Sequence, residues 1–518
     1  MELGRVIRPK HPMKEIKKLA ILGGGTAGWM CAAYLSKFHT DLDITLIESS
    51  KIGAIGVGEG STPHLKQFMQ QLGIAEQQWM PYCDATFKAG IYFKNWNGDH
   101  HAYFHPFYSE MDINTAEVFF VNANARRRGH EQWCGPDSYF LTGHLAKNAL
   151  SPKAKSPMVR EQHYGYHFDA KKLAHILKCY AIERDVTHID DEFVAATTNA
   201  QDEISNLKLK HSAPVNADFY IDASGFNALL IGETLGCRFQ PFTEQLLNDS
   251  AVTVACPQNM NQPLPAATHS TALSAGWLWQ IPLTSRIGTG YVYSSAFLSK
   301  QQAEQELAAT LNISVNDVEF RHVSMKVGAR SSAWQKNVMA IGLAQSFIEP
   351  LEATSLMVTQ QSILWLSEAI SKIQTSPTQT EKLRLHTNQQ LHYLVNGIKD
   401  YICAHYATSK RRDSAYWRAV TQTTEIPTRL EPLLAAWRNG DDFDAYLYHQ
   451  YPESVYSRPS WYSLLAGMDY RDSALNAPTE SAQQEIDLAA HAYLESLCSK
   501  HFEPHIMQLK AMRQNNFE

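Results

Sequence analysis

The chain has 518 residues, 44% of them apolar and 19% charged, and a net charge of −6. That balance leaves no basic field for nucleic acid and excludes a disordered chain, so the composition describes an enzyme with a small-molecule ligand. The length accommodates two or three cores, or one large α/β enzyme with an inserted sheet. The eight cysteines (31, 83, 134, 179, 237, 256, 403, 498) form no C-x-x-C pair and have no histidine at zinc-finger spacing. Reduced thiols in a cytoplasmic protein fit that pattern. No apolar run is long enough to cross a bilayer. The basic residues 1–17 lack the apolar core of a secretory signal and are expected to be an N-terminal extension.

The first predicted element is the strand Leu19-Ala-Ile-Leu22, which runs into Gly23, Gly25 and Gly28 at the spacing G-x-G-x-x-G and then into a helical pattern from Ala27 to Leu35. Glycines there let a pyrophosphate approach the backbone of Gly23, Gly24, Gly25, Thr26 and Ala27, while the helix N-terminus offers free N–H groups. A second strand, Asp43–Glu48, ends in an acid 20 residues after Gly28, placed to accept from a ribose hydroxyl. Glu48 therefore favours an adenosine ribose without a 2′-phosphate. The alternative is a glycine-rich turn that binds nothing.

Residues 51–63 carry four glycines ahead of Pro63, which opens a helix through Leu65, Phe68, Met69 and Leu72. This loop reads as a strap over a flat ligand, or else as a flexible surface loop. From Phe87 to Trp96 the residues alternate as in a strand, with Phe87, Ala89, Ile91 and Phe93 on one face and Lys88 on the other. Taken alone, Lys88 is a solvated lysine. His100, His101 and His105 follow, without an acid among them and without a ligand spacing, so no metal is expected.

Residues 114–149 read as helical and exposed around Arg126, Arg127 and Arg128. Asp169 caps an amphipathic helix whose apolar face is Leu173, Ile176, Leu177 and Tyr180. Strands follow at Val186–Ile189, Phe193–Ala196, Ile204–Leu209 and Ala217–Ile221, the last ending in Asp222-Ala-Ser-Gly225. A βαβ start with a late return to the same sheet suggests a FAD-type fold. Residues 251–294 read as an antiparallel sheet laid over this domain, and within it Trp277 and Trp279 share one face, either walling a cavity or filling a core. Composition alone favours the core. A strand and glycine turn from Met339 then reach Pro350 and a long helix over 354–374, whose first N–H groups, at Thr354 and Ser355, suit a small anion. The remainder is mostly helical.

These signals together resemble the flavin-dependent halogenases, the tryptophan-halogenase-like family, over nearly the whole chain. The motifs that carry the resemblance are Gly23 to Gly28, Gly276-Trp-Leu-Trp-Gln-Ile-Pro282 and Pro350-Leu-Glu-Ala-Thr-Ser355. It implies an α/β fold, a FAD-binding Rossmann-like domain of the flavin monooxygenase type with an inserted antiparallel sheet and a mostly helical C-terminal region. The expected boundaries are 18–375 for the FAD-binding and halogenation module and 376–518 for a substrate-side region.

The resemblance further implies that FADH2 from a separate flavin reductase, O2 and chloride or bromide yield hypohalous acid, with Lys88 positioning it and Glu352 acting as base. Thr354 and Ser355 would bind the halide. Gly24, Thr26, Ala27, Ser49, Glu59, Leu343 and Leu356 would contact the flavin. His105, Trp277 and Trp279 would shape the substrate pocket. The motif differs here in that Ala353 replaces a serine and Ser355 a glycine. If that glycine is held at positive φ, Ser355 would shift the anion pocket. The family's tryptophan-clamping segment has no clear match in 440–465, which favours indole or another small electron-rich aromatic and leaves a tryptophan-like compound open. Neither nucleic acid nor membrane is an expected partner, a homodimer stays open, and the competing reading is a flavin-dependent aromatic monooxygenase.

Overall fold

The computed structural model describes residues 15–52, 59–98, 100–130, 134–155, 162–422, 425–451, 454–471 and 482–514. Most of the N-terminal extension and the glycine-rich part of the strap, 53–58, lie outside the described residues.

A six-stranded sheet carries the nucleotide end. Its order is Trp334–Gln335, Val338–Ala340, Phe219–Asp222, Lys18–Leu22, Asp43–Glu48 and Thr187–Asp190, parallel except for the first pair. Successive residues of Lys18–Leu22 point to opposite faces. Leu19 and Ile21 enter a core shared with the helix Thr26–Phe38, while Ala20 and Leu22 enter a second core with Leu207, Tyr220 and Val338. Both faces are covered, which is why the strand reads as a continuous apolar run.

The helix Thr26–Phe38 packs against the helix Ala170–Ile182, which Asp169 caps by accepting from the Lys171 and Lys172 N–H groups. The other Asp169 oxygen lies 3.0 Å from Arg286 and ties this helix to the second sheet.

That second sheet has seven strands, Arg321–Ser324, Ser250–Pro257, Arg286–Tyr293, Gly276–Pro282, Ala267–Leu273, Gly90–Lys94 and Ala102–Pro106 in spatial order. Within the segment 251–294 every pairing is antiparallel, as expected. The hairpin Gly90–Lys94 and Ala102–Pro106, from far upstream, joins the sheet with Gly90–Lys94 parallel to Ala267–Leu273 and Ala102–Pro106 at the edge.

The single strand expected from Phe87 to Trp96 is in fact two. Thr86–Lys88 pairs with Gly165–Phe168 in a small sheet, whereas Gly90–Lys94 belongs to the seven-stranded one. The chain turns between them at Ala89, whose N–H donates to Ala266 and whose carbonyl accepts from Phe107. Gly90 is obligatory there, since a Cβ would stand 2.2 Å from the His105 carbonyl oxygen.

The C-terminal helices pack on the seven-stranded sheet, and one continuous core runs from Ile91 through Trp277 to Trp417, Trp437 and Trp461. The expectation that Arg126, Arg127 and Arg128 are all exposed fails at Arg127, which is 1% exposed. Its guanidinium donates to the carbonyls of Ala436, Trp437 and Asp441, so it closes the end of a helix from another part of the chain. Among the described residues no helix is long and apolar enough to cross a membrane.

Candidate active site

One cavity of about 880 Å3 is lined by the Gly23–Ala27 turn, by Ser49, Glu59, Leu343 and Leu356, and by Lys88, Trp277 and Trp279. Its nucleotide end has the features a dinucleotide needs. The helix Thr26–Phe38 starts at Gly25 in extended conformation with no side-chain cap, so its first N–H groups are left for a ligand. A Cβ on Gly25 would meet nothing within 4 Å, whereas one on Gly24 would overlap the Glu48 carboxylate. Gly28 packs against the Gly23 carbonyl and closes the turn.

Glu48 is held by Lys178 at 2.8 Å and His188 at 3.0 Å through Oε1. The Lys178 ammonium was invisible as a site residue, because it lies on the polar side of an ordinary amphipathic helix. Burial, reinforced by the Asp169 charge, raises the Glu59 carboxyl to about 7.

Lys88, on the lining of the same cavity, is fully buried, not solvated. Its Nζ has no hydrogen-bond partner and stands 5.4 Å from the Phe107 ring centroid. Burial pulls this lysine down to about 8, against the opposing pull of the Glu352 carboxylate. Beneath it, His167 Nε2 lies 2.8 Å from Thr268 Oγ1 and Nδ1 lies 3.0 Å from Thr86 Oγ1. Thr86 donates to the Pro282 carbonyl, so it accepts from Nδ1–H, and Thr268 donates to Nε2. Burial and the Lys88 charge push His167 well below the ordinary histidine value.

Trp277 and Trp279 do more than fill a core. Their rings, 6.1 Å apart, face the cavity. Trp277 Nε1 donates to Glu349 Oε2 at 2.8 Å, and the same oxygen accepts from Asn248 Nδ2 and the Tyr406 hydroxyl.

Glu349 opens a second strap, residues 349–355, which carries Glu352 in the short turn Pro350–Glu352. Glu352 is 4% exposed. Burial would raise its carboxyl, but His105, His405 and Lys88 outweigh it and hold it below the ordinary value. Beyond Glu352 stand His105, whose Nε2 lies 2.8 Å from the Tyr401 hydroxyl, and Tyr456, stacked on Tyr401 with ring centroids 3.6 Å apart.

The strap then places Ala353, Thr354 and Ser355 on the cavity wall. The helix Ser355–Thr375 starts with no side-chain cap, so free N–H groups face the cavity there as well. The left-handed residue is Ala353, at φ +55°, while Ser355 is already helical. Ser355 therefore does not displace this turn, contrary to the concern raised by the missing glycine.

The structure thus brings Lys88 and the two tryptophans together with the nucleotide turn on one cavity. Glu352 and His105, which interact electrostatically with each other and with Lys88, are not on that cavity's lining. Glu349, His167, His405, Tyr401 and Tyr456 were missed in the sequence, where nothing marks them off from core residues. Among the described residues no group of three or more His, Cys, Asp or Glu is arranged to hold a metal.

A family model described as Tryptophan halogenase matches residues 18–484. The chain is 32% identical over 442 residues to a tryptophan 6-halogenase of Streptomyces toxytricini, covering 81% of this chain and 84% of that protein. A solved tryptophan halogenase of Shewanella frigidimarina superposes with a TM-score of 0.85 at 28% identity, over 97% of this chain and 98% of that one. A solved flavin-dependent halogenase of a Brevundimonas species does so with a TM-score of 0.81 at 29% identity, over 96% of this chain and 99% of that one.

Proposed function

The chain belongs to the tryptophan halogenase family, and from that premise we propose that it places chlorine or bromine on a small electron-rich aromatic ring, an indole or a tryptophan-like compound. Its fold is the α/β, FAD-binding Rossmann-like architecture of flavin-dependent halogenases. The observation that carries the proposal is an unpartnered, fully buried lysine on the wall of a dinucleotide-sized cavity, with one buried carboxylate acting on it electrostatically.

FAD fits the cavity on the strength of the uncapped helix terminus, the open face at Gly25 and the Glu48 carboxylate. When bound and reduced by a separate flavin reductase, it supplies with O2 the oxidising power that converts a halide to hypohalous acid. The N–H groups of the Thr26 helix take the pyrophosphate, Glu48 the ribose, and Ser49, Glu59, Leu343 and Leu356 the ring system. The backbone N–H groups of Thr354 and Ser355 hold the halide at the second helix terminus.

Lys88 donates a proton from Nζ to the hypohalite oxygen, which makes the halogen more electrophilic and fixes it near one ring carbon. Its burial leaves that donor without a competing partner. Glu352 accepts the proton displaced from the ring carbon, and its depressed value keeps it ionised for that step. Trp277 and Trp279 keep the substrate out of the flavin end, and the region 376–518, with His105, supplies the substrate side.

The test is product mass after incubation of indole with FAD, NADH, a flavin reductase, O2 and bromide. A bromoindole is expected, absent with Lys88→Ala and reduced about 10²–10³-fold with Glu352→Gln, while both variants still bind FAD. Unchanged yield from Lys88→Ala, or a hydroxylated product formed without halide, would overturn the proposal, the latter in favour of an aromatic monooxygenase.

A further inference from the structure

His405 lies in the last turn of the helix Thr380–Ala407 and is fully buried. Its Nδ1 is 3.0 Å from the carbonyl oxygen of Tyr401, one turn earlier. A carbonyl only accepts, so Nδ1 carries a proton. The other ring nitrogen, Nε2, lies 3.0 Å from Glu352 Oε1. The contact has the length of an ion pair without the alignment of a hydrogen bond, and neither atom has another partner. A bare Nε2 lone pair 3.0 Å from a carboxylate oxygen, away from water, would be repelled by it. A proton on Nε2, set between the two atoms, removes that repulsion.

The other groups facing Glu352 do not take this role. His105 donates through Nε2 to Tyr401, whose hydroxyl donates in turn to the Ser460 carbonyl, and burial keeps that imidazole below the ordinary histidine value. The hydroxyls of Tyr103, on the same strand as His105, of Tyr401 and of Tyr456 are pushed well above the ordinary tyrosine value, so they stay protonated. Glu349, on the strap, is raised by burial and held by its own three donors. Besides His405, the groups whose charge lowers the carboxylate are His105 and Lys88.

We infer that His405 is a positioning residue for halogenation: by holding one proton against Glu352 it fixes the direction of that carboxylate and tempers the pull of its charge on Lys88. The inference rests on the roles of Lys88 and Glu352 given above. A solitary carboxylate beside a buried ammonium stabilises the charged lysine, and an imidazolium across the carboxylate opposes that. The next residue, Tyr406, donates to Glu349 at 2.7 Å, so the same helix end grips both glutamates of the strap. Replacing His405 leaves the Glu349 grip in place.

Two measurements test this. In the flavin-free protein labelled with 15N-histidine, with His405→Asn used for assignment, both ring nitrogens of His405 are expected to be protonated near neutral pH. Nε2 is expected to lose its proton in Glu352→Gln. A wild-type Nε2 without a proton overturns the inference, and because no turnover is involved this outcome is independent of whether Lys88 and Glu352 perform the chemistry.

In the second, kcat for halogenation is followed against pH. His405→Asn should lower kcat roughly tenfold, with KM changed less than about threefold, since a charge-assisted contact is lost without touching the substrate. It should also move the alkaline limb set by Lys88 upward by about one pH unit, whereas Glu352→Gln moves it downward. His405→Gln, which restores a donor toward Glu352, should recover part of kcat. A limb that stays in place or moves down in His405→Asn overturns the inference, because a purely structural histidine gives no upward shift.

Discussion

A buried lysine without a partner is a cost that its chemistry has to justify, and Lys88 allows that cost to be measured. Its value falls from 10.5 to about 8 on burial, so between those two values the unfolded chain binds more protons than the folded one, and stability rises with pH across that window. Below pH 8 the full cost is present, on the order of 3 kcal/mol from the size of the shift. Lys88→Met should therefore melt higher than wild type at pH 7, with the gap closing as the pH approaches 10.5, as followed by thermal denaturation. A variant that melts lower at pH 7 would show that the ammonium is satisfied in the fold. The sequence could not reveal this state, because Lys88 occupies the polar side of an apparent two-faced strand. Only the turn at Ala89, which puts its two flanking strands into different sheets, buries both faces.

At the scale of the element, the strap from Glu349 to Ser355 concentrates the constraints. Its first residue takes three hydrogen bonds on one oxygen, from Asn248, Trp277 and Tyr406, which come from three distant parts of the chain. Its turn is completed by Ala353 at φ +55°, a conformation in which a Cβ costs about 1 kcal/mol or more. Ala353→Gly should relieve that cost and stabilise the protein by about 0.5–1 kcal/mol after allowing for the freer unfolded chain, read as an increase in melting temperature with the turn retained. The motif Pro350–Ser355 was legible as a helix start next to an anion site. The residue that carries the left-handed turn was not, because a two-residue difference in where the turn closes is fixed by which carbonyl Ala353 N–H meets, here that of Pro350.

Across the whole molecule, the nucleotide sheet, the seven-stranded sheet and the C-terminal helices enclose one cavity of about 880 Å3. A ligand that binds this folded cavity and not the open chain shifts the unfolding equilibrium by mass action. FAD at about a hundred times its Kd should add about 2.7 kcal/mol, which for a chain of 518 residues is a rise of about 2–3 °C in Tm. The measurement is thermal denaturation against FAD concentration, and a flat response would exclude the cavity as the flavin site. Lys88→Ala should show the same rise as wild type, because Lys88 is not part of the uncapped helix start proposed to take the pyrophosphate.

The sequence by itself determined the parts whose signals are local in the chain. The glycine turn and Glu48, the cap at Asp169, the strands up to Asp222 and the helix beginning beside Thr354 and Ser355 each follow from residues within a turn or two of one another. Tertiary structure alone decided which side chains meet. His405 reaches Glu352 across 53 residues of chain, Tyr401 reaches His105 across 296, and Trp277 reaches Glu349 across 72. Periodicity records which face of an element is buried and carries no information about what another element brings to that face. The charge on Lys88, the orientation of Glu352 and the place of the tryptophan pair therefore exist only once the sheets and the C-terminal helices have closed on each other.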